Sequence, residues 1–219
     1  MGFFDFMQKV NLAGSGDPNK QIFAGLNALG LQVTRQEATG VTELAGTYQG
    51  RQSGMFIDAS SLMATAGKAY ALQAGTAIAG AAGLISQSMQ DYRTRMHTRR
   101  AAWGMQSAAV HIGFTIVGSG SATGPVEIGR SAAAGSPIGP GLFASGDPAL
   151  VGKLSHPNLV PQLQSAFFEQ IEVTGPNVHA SWSGPNSEYQ KIVLQLAQVA
   201  QSTLNALSGV AYLVCEGGS

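Results

Sequence analysis

Between Ser60 and Ala102 there is no proline and no cluster of turn residues, so a helical segment is the default reading. Within it, GKAYALQAGTAIAGAAGLISQ carries no charge after Lys68 until Asp91 and is far richer in alanine and glycine than in leucine. One continuous helix over this stretch would extend roughly 60 Å at about 1.5 Å per residue; a hairpin broken around Ser86–Ser88 is the alternative. Gly67, Ala71, Gly75, Ala79 and Gly83 recur every fourth residue and would form a ridge of small side chains on a helix. Such ridges let two backbones approach closely. Interior glycines cost about 1 kcal/mol each against alanine, so this helix needs a neighbour along its length. The spacing therefore predicts self-association through those residues.

The same segment is a feeble membrane span. Leu72, Ile78, Leu84 and Ile85 contribute only about −2 kcal/mol together at the usual insertion values, and the glutamines and serines oppose that. Beyond it, DYRTRMHTRR supplies Arg93, Arg95, Arg99 and Arg100, with Trp103 following. Arginines beside an apolar helix suit anionic headgroups, and a tryptophan suits the interface. These residues, with the four aliphatic ones, are the expected contacts to a membrane surface or partner.

Either side of this arm the pattern changes. Asp17–Pro18 opens a helix ending at Gly30. LQVTRQ, VTELAGTYQG and RQSGMFIDA alternate as antiparallel strands, with Gly50 in the turn between the last two. SAAVHIGFTIVG and PVEIGR read as strands paired across SGSATG. SAAAGSPIGPG reads as a linker or long turn, LFAS as a short strand, and Asp147–Pro148 as a second helix start. NLVPQLQSAFF suits a short helix. IEVTGPNVHASWSG is a hairpin facing Ile171 and Val173 against Val178, Ala180 and Trp182. Ser187 and Gln190 form a capping-box pattern for a final amphipathic helix. The expected fold is α+β: an antiparallel sheet with packed helices, interrupted by a long Gly/Ala-rich helical arm. Residues 1–16, with Phe3, Phe4, Phe6, Met7 and Val10, form an aromatic tether; residues 17–58 and 108–213 form the body; residues 60–105 form the arm.

GTYQGR at 46–51, FASGDPALVGKL at 143–154 and the hairpin from Ile171 to Trp182 resemble uncharacterised bacterial α+β domains. In those, a G-x-Y-x-G-R strand is followed by an S-x-D-P helix start, a hairpin and a C-terminal helix. The resemblance implies the fold and brings no reaction.

Chemistry is sparse. His97, His111, His156 and His179 lie in separate elements without metal-ligand spacing, and the lone Cys215 excludes an intrachain disulfide. GSGSATG lacks the following helix that a phosphate loop needs. No residue is nominated as catalytic, metal-binding or cofactor-binding, and no cofactor is expected. Charged residues make up 11% of the chain with net charge zero, against about 25% in ordinary domains; this favours assembly and argues against nucleic acid. MGFFDFMQKV does not resemble a secretory signal, so the expected place is cytoplasmic, peripheral at the inner face of the membrane.

The leading expectation is a non-enzymatic homo-oligomeric scaffold or stalk attaching a larger protein complex, of redox type by analogy with apolar stalks that shelter lipophilic carriers, to the membrane surface. The second is an α+β module that binds a small molecule or lipid between sheet and helices. The third is an enzyme of unknown class.

Overall fold

The computed structural model describes residues 18–37, 40–60, 82–102 and 110–217, with backbone alone at 18–21, 82–84 and 99–102. Its elements are α1 (Pro18–Ala28), β1 (Leu31–Gln36), β2 (Val41–Tyr48), β3 (Arg51–Asp58), α2 (Ala82–Ala102), β4 (Val110–Val117) and β5 (Val126–Gly129). A 3₁₀ turn (Ala132–Ala134), β6 (Ser136–Gly139), β7 (Leu142–Gly146), α3 (Pro148–Leu154), α4 (Val160–Ser165), β8 (Gln170–Thr174) and β9 (Asn177–Gly184) follow. The chain then continues through α5 (Asn186–Val193), α6 (Leu196–Val210) and a π turn (Ala211–Cys215). The protein is α+β. Among the described residues, nine strands form one antiparallel sheet in the order β1-β2-β3-β4-β9-β8-β5-β7-β6.

The first three strands form a meander because local turn chemistry permits it. Gln49 and Gly50 both take positive φ, 51° and 77°, which suits a two-residue hairpin turn between right-twisted strands. Gly175, at φ 58°, makes the turn before Pro176 that joins β8 to β9. There Val173 pairs with Val178 and Ile171 with Ala180, in the expected register. Asp147 caps α3, accepting the Ala149 amide at 2.9 Å, while Asp17 lies outside the described residues.

Three local expectations are corrected. The strands β4 and β5 do not pair: β9 and β8 stand between them, so SGSATG is a crossing loop and no hairpin. Helix α2 runs unbroken through Ser86–Ser88, as the default helical reading has it and against the alternative of a break there. Ser187 and Gln190 make no capping box, because Pro185 occupies the cap position without a side-chain bond and Ser187 falls inside α5. SAAAGSPIGPG, expected as a linker or long turn, holds the 3₁₀ turn and also the edge strand β6.

The two faces of the sheet differ sharply. Successive side chains along a strand point to opposite faces. Met55, Ile57, Ile112, Phe114, Ile116, Val178, Ala180 and Ile171 all point to one, where they meet α1, α3, α4 and α6 in the main core. Cys215 is buried at this core's edge, and burial pushes its thiol pKa up, as suits a packing residue. The other face presents Glu43, Asp58, His111, Thr115, His179, Ser181 and Ser183, all buried. Its small apolar cluster is Phe56 with Met89, Tyr92 and Met96 of α2. Two glycines seat that helix. A Cβ on Gly113 would stand 2.1 Å from the Phe56 ring, and one on Gly54 would stand 2.5 Å from Met89 Sδ.

Candidate functional site

Helix α2 covers the polar face over β2, β3 and β4 and reaches His179 of β9 through Tyr92; beyond that the face is open over the rest of β9, β8 and β5. There a groove of about 810 Å³ follows the sheet. Its floor carries Ser181 and Ser183 from β9, Gln170 and Glu172 from β8, and Glu127 and Gly129 from β5. Tyr92 and Met96 of α2 form one wall; Ser131, Ala133 and Ala134 form the other. The 3₁₀ turn sits close to the floor because β5 ends in Gly129, where a Cβ would come within 2.8 Å of Ala134 Cβ. Phe168 and Glu169 line the same cavity.

Arg130 fixes the rim. Its guanidinium donates to the carbonyls of Ala166 at 2.7 Å, Leu163 at 3.1 Å and Phe168 at 3.2 Å and lies 4.5 Å over the Phe168 ring. That arginine is therefore committed to holding the loop after α4. Across the floor, the Gln170 amide donates to Glu127, and Arg95 approaches Glu172 at 3.7 Å. The groove is thus floored by hydrogen-bonding groups and walled by apolar ones.

Beneath α2 lie two hydroxyl–imidazole pairs, separated on β4 and β9 by Gly113 and Ser181. Thr115 and His179 Nδ1 are 2.8 Å apart, and the Tyr92 ring stacks on His179 at 4.4 Å. Burial, with Arg95 nearby, lowers the His179 pKa to about 3, so that imidazole is neutral at ordinary pH. His111 Nδ1 and Ser183 Oγ are 2.7 Å apart, and Ser183 reaches the groove.

Behind His111 stands a charged cluster. His97 Nε2 meets Asp58 Oδ2 at 2.9 Å, Ser60 donates to Asp58 through both its amide and its hydroxyl, and Ser86 donates to Glu43 at 3.0 Å. Burial alone would raise the Asp58 pKa, but the bonds from His97 and Ser60 and the charge of His97 outweigh it and hold the carboxyl at about 2. A depressed native pKa stabilises the fold fully above the ordinary 3.8 and ceases to do so as pH falls through about 2. The fall is worth about 2 kcal/mol, with the side chain 3% exposed. Between pH 4 and pH 2 the protein should therefore lose about 2 kcal/mol of unfolding free energy that Asp58→Asn does not lose. Parallel urea-unfolding curves for the two proteins across that range would contradict this.

The residues expected to carry function fall as follows. Gly67, Ala71, Leu72, Gly75, Ile78, Ala79 and Trp103 lie outside the described residues. Gly83, Leu84, Arg99 and Arg100 lie on α2, where only the backbone is described. Ile85 is 1% exposed and packs toward Gly54. Arg93 turns onto the sheet, 3.7 Å from Glu43 and 3.9 Å from both Glu37 and Asp58, and Arg95 lies toward Glu172. In this arrangement neither Ile85 nor Arg93 is presented outward. The groove residues Glu127, Gln170, Glu172, Ser181 and Ser183 were not singled out in the sequence. Their signal is the alternation in VEIG, QIEVT and NVHASWS, where Glu127, Gln170, Glu172, Ser181 and Ser183 fall on one face opposite Val126, Ile128, Ile171, Val173, Val178, Ala180 and Trp182.

Among the described residues no helix is long and apolar enough to cross a membrane, and no group of His, Cys, Asp or Glu is placed to hold a metal ion. No family model matches the chain, and no curated protein matches it. One solved structure, that of the mycobacterial trehalose monomycolate transport factor A, TtfA, aligns over 84% of this chain and 95% of its own, with 8% identity and a TM-score of 0.38. At that TM-score the likeness supports no inference about fold or function.

Proposed function

We propose that the domain is a binding module for an amphipathic small molecule, lodged in the groove between α2 and strands β9, β8 and β5. The observation that carries this is the groove itself: about 810 Å³, within the range of about 300–1,000 Å³ usual for ligand sites, with apolar walls and a few convergent polar groups. Met96, Ala133 and Ala134 offer a surface for hydrocarbon. Gln170, Ser181 and Ser183 offer hydrogen bonds to a polar portion lying on the floor. Gln170 and Ser183 already bond Glu127 and His111 but keep further donor and acceptor capacity, which a molecule with one polar side would use and a wholly apolar one would strip of water. The alternative role in assembly rests on a ridge of small residues of which all but Gly83 lie outside the described residues.

Titration with a fluorescent naphthylamine probe tests the reading. Saturable binding to the full chain is expected, with the unfolding free energy raised by about 2.7 kcal/mol at a hundredfold excess over Kd. Ala133→Trp, placed at an exposed wall position, should abolish the binding with little effect on the fold. Non-saturable fluorescence, or binding untouched by the tryptophan, would rule the groove out as the site.

A further inference from the structure

We propose that Ser183 is a nucleophile with His111 as its general base, and that the groove accepts and hydrolyses a carboxylic ester; the proposal rests on the groove being a ligand site. Asp58, His111 and Ser183 are successive cross-strand partners on β3, β4 and β9, so their side chains share one face. His111 Nδ1 lies 2.7 Å from Ser183 Oγ, the reach required of a base and the hydroxyl it activates. The His97 ring stands edge-on to His111 at 5.0 Å and is itself bonded to the Asp58 carboxylate. The Asp58 carboxylate holds the His97 ring in place and is itself answered by Arg93 at 3.9 Å, so this cluster positions the surroundings of His111.

The neighbouring pair supplies the contrast. Thr115 is fully buried and His179 is 1% exposed, stacked beneath Tyr92 with an imidazole too weakly basic to take a proton near neutrality. Ser183 is 9% exposed and opens on the cavity. The same hydroxyl–imidazole pairing thus occurs twice on this face, and the copy whose hydroxyl opens on a cavity is His111–Ser183; at the other, the imidazole of His179 borders a smaller cavity of about 340 Å³ while Thr115 does not. Met96 and the alanines of the 3₁₀ turn line that space for an acyl chain.

The reaction balances without a co-reactant other than water. Ser183 Oγ attacks the ester carbonyl carbon as its proton passes to His111 Nδ1. The carbon–oxygen bond to the alcohol breaks, and the departing oxygen takes that proton from His111. Water then gives a proton to His111 and attacks the acyl carbon, the Ser183 ester bond breaks, and the serine oxygen recovers the proton. Ester and water become acid and alcohol.

The test is labelling of the full chain with an alkyl fluorophosphonate, whose phosphorus Oγ attacks as fluoride leaves, followed by peptide mapping. The expected result is an adduct on Ser183 in the wild-type protein. In His111→Gln the labelling rate should fall at least about a hundredfold, the usual range for a general base, while the naphthylamine probe still binds and so reports an intact groove. A protein that binds the naphthylamine probe but carries no adduct on Ser183, or carries it on another serine, would overturn the nucleophile and leave the groove standing. Absence of both binding and adduct would overturn both.

Discussion

Gly113→Val should unseat α2 and lower the stability of the protein by about 3 kcal/mol or more, the upper part of the range for overpacking a core. A Cβ at this position would meet Phe56 Cε1 at 2.1 Å, Cζ at 2.4 Å and Cδ1 at 2.8 Å. Phe56 is the cross-strand partner of Gly113 and is fully buried. Its ring is rigid, so it must leave the sheet surface and invade the space held by Met89, Tyr92 and Met96. Those three side chains, with Ile85, are the buried apolar residues among the described side chains of α2, so the helix loses its seat and the groove loses its Tyr92–Met96 wall. Gly54→Ala is the mild counterpart. The atoms in its way are the Sδ and Cε of Met89 at 2.5 Å and 2.9 Å and Ile85 Cγ1 at 3.1 Å; a methionine end swings aside readily, and a loss below about 1.5 kcal/mol is expected. Urea unfolding gives the two magnitudes. Hydrogen exchange should show protection lost in α2 before the strands of the main core. Wild-type unfolding of Gly113→Val would mean that Phe56 does not anchor the helix.

Much of the fold was legible because it is locally encoded. Gly30, Gly50 and Gly175 each take the positive φ that their turns need, and Asp147 with Pro148 starts a helix by capping chemistry alone. The β8–β9 hairpin follows from two alternating runs around one tight turn. Strand order was less legible: a glycine–serine loop suits a tight turn and a long crossing equally, and SGSATG turned out to carry the chain past β9 and β8. The separation of β4 from β5 is decided by tertiary pairing, with Ile112, Phe114 and Ile116 opposite Trp182, Ala180 and Val178. The site was hardly legible at all. His111 and Ser183 are distant in sequence, and only the β4–β9 register makes them neighbours. The polar alternation of those two strands hinted at a second buried face, but an alternating strand ordinarily turns its polar side to water. Here α2 covers part of that side instead.

Removing Arg93 decides what the arginine-rich end of α2 is for. Its guanidinium serves Glu43, Glu37 and Asp58, and the side chains of Glu43 and Asp58 are 1% and 3% exposed. Breaking a buried pair by deleting one partner costs about 3–5 kcal/mol, because the other charge stays behind. Arg93→Met should cost less than that ceiling, about 2–3 kcal/mol, since other groups remain: His97 on Asp58 at 2.9 Å, Ser86 on Glu43 at 3.0 Å, and the half-exposed Arg35 at 3.9 Å from Glu43. Arg93→Lys keeps the cation and should recover most of the loss. Adding Glu43→Gln to Arg93→Met removes one stranded carboxylate, so the double variant should be more stable than the sum of the single losses implies, by about 1 kcal/mol or more. Arg95, 41% exposed beside Glu172, supplies the surface comparison: its removal should cost under about 1 kcal/mol. If Arg93→Met unfolds like the wild type, the arginine is not neutralising the sheet, and its positive charge is available to an anionic surface or partner after all.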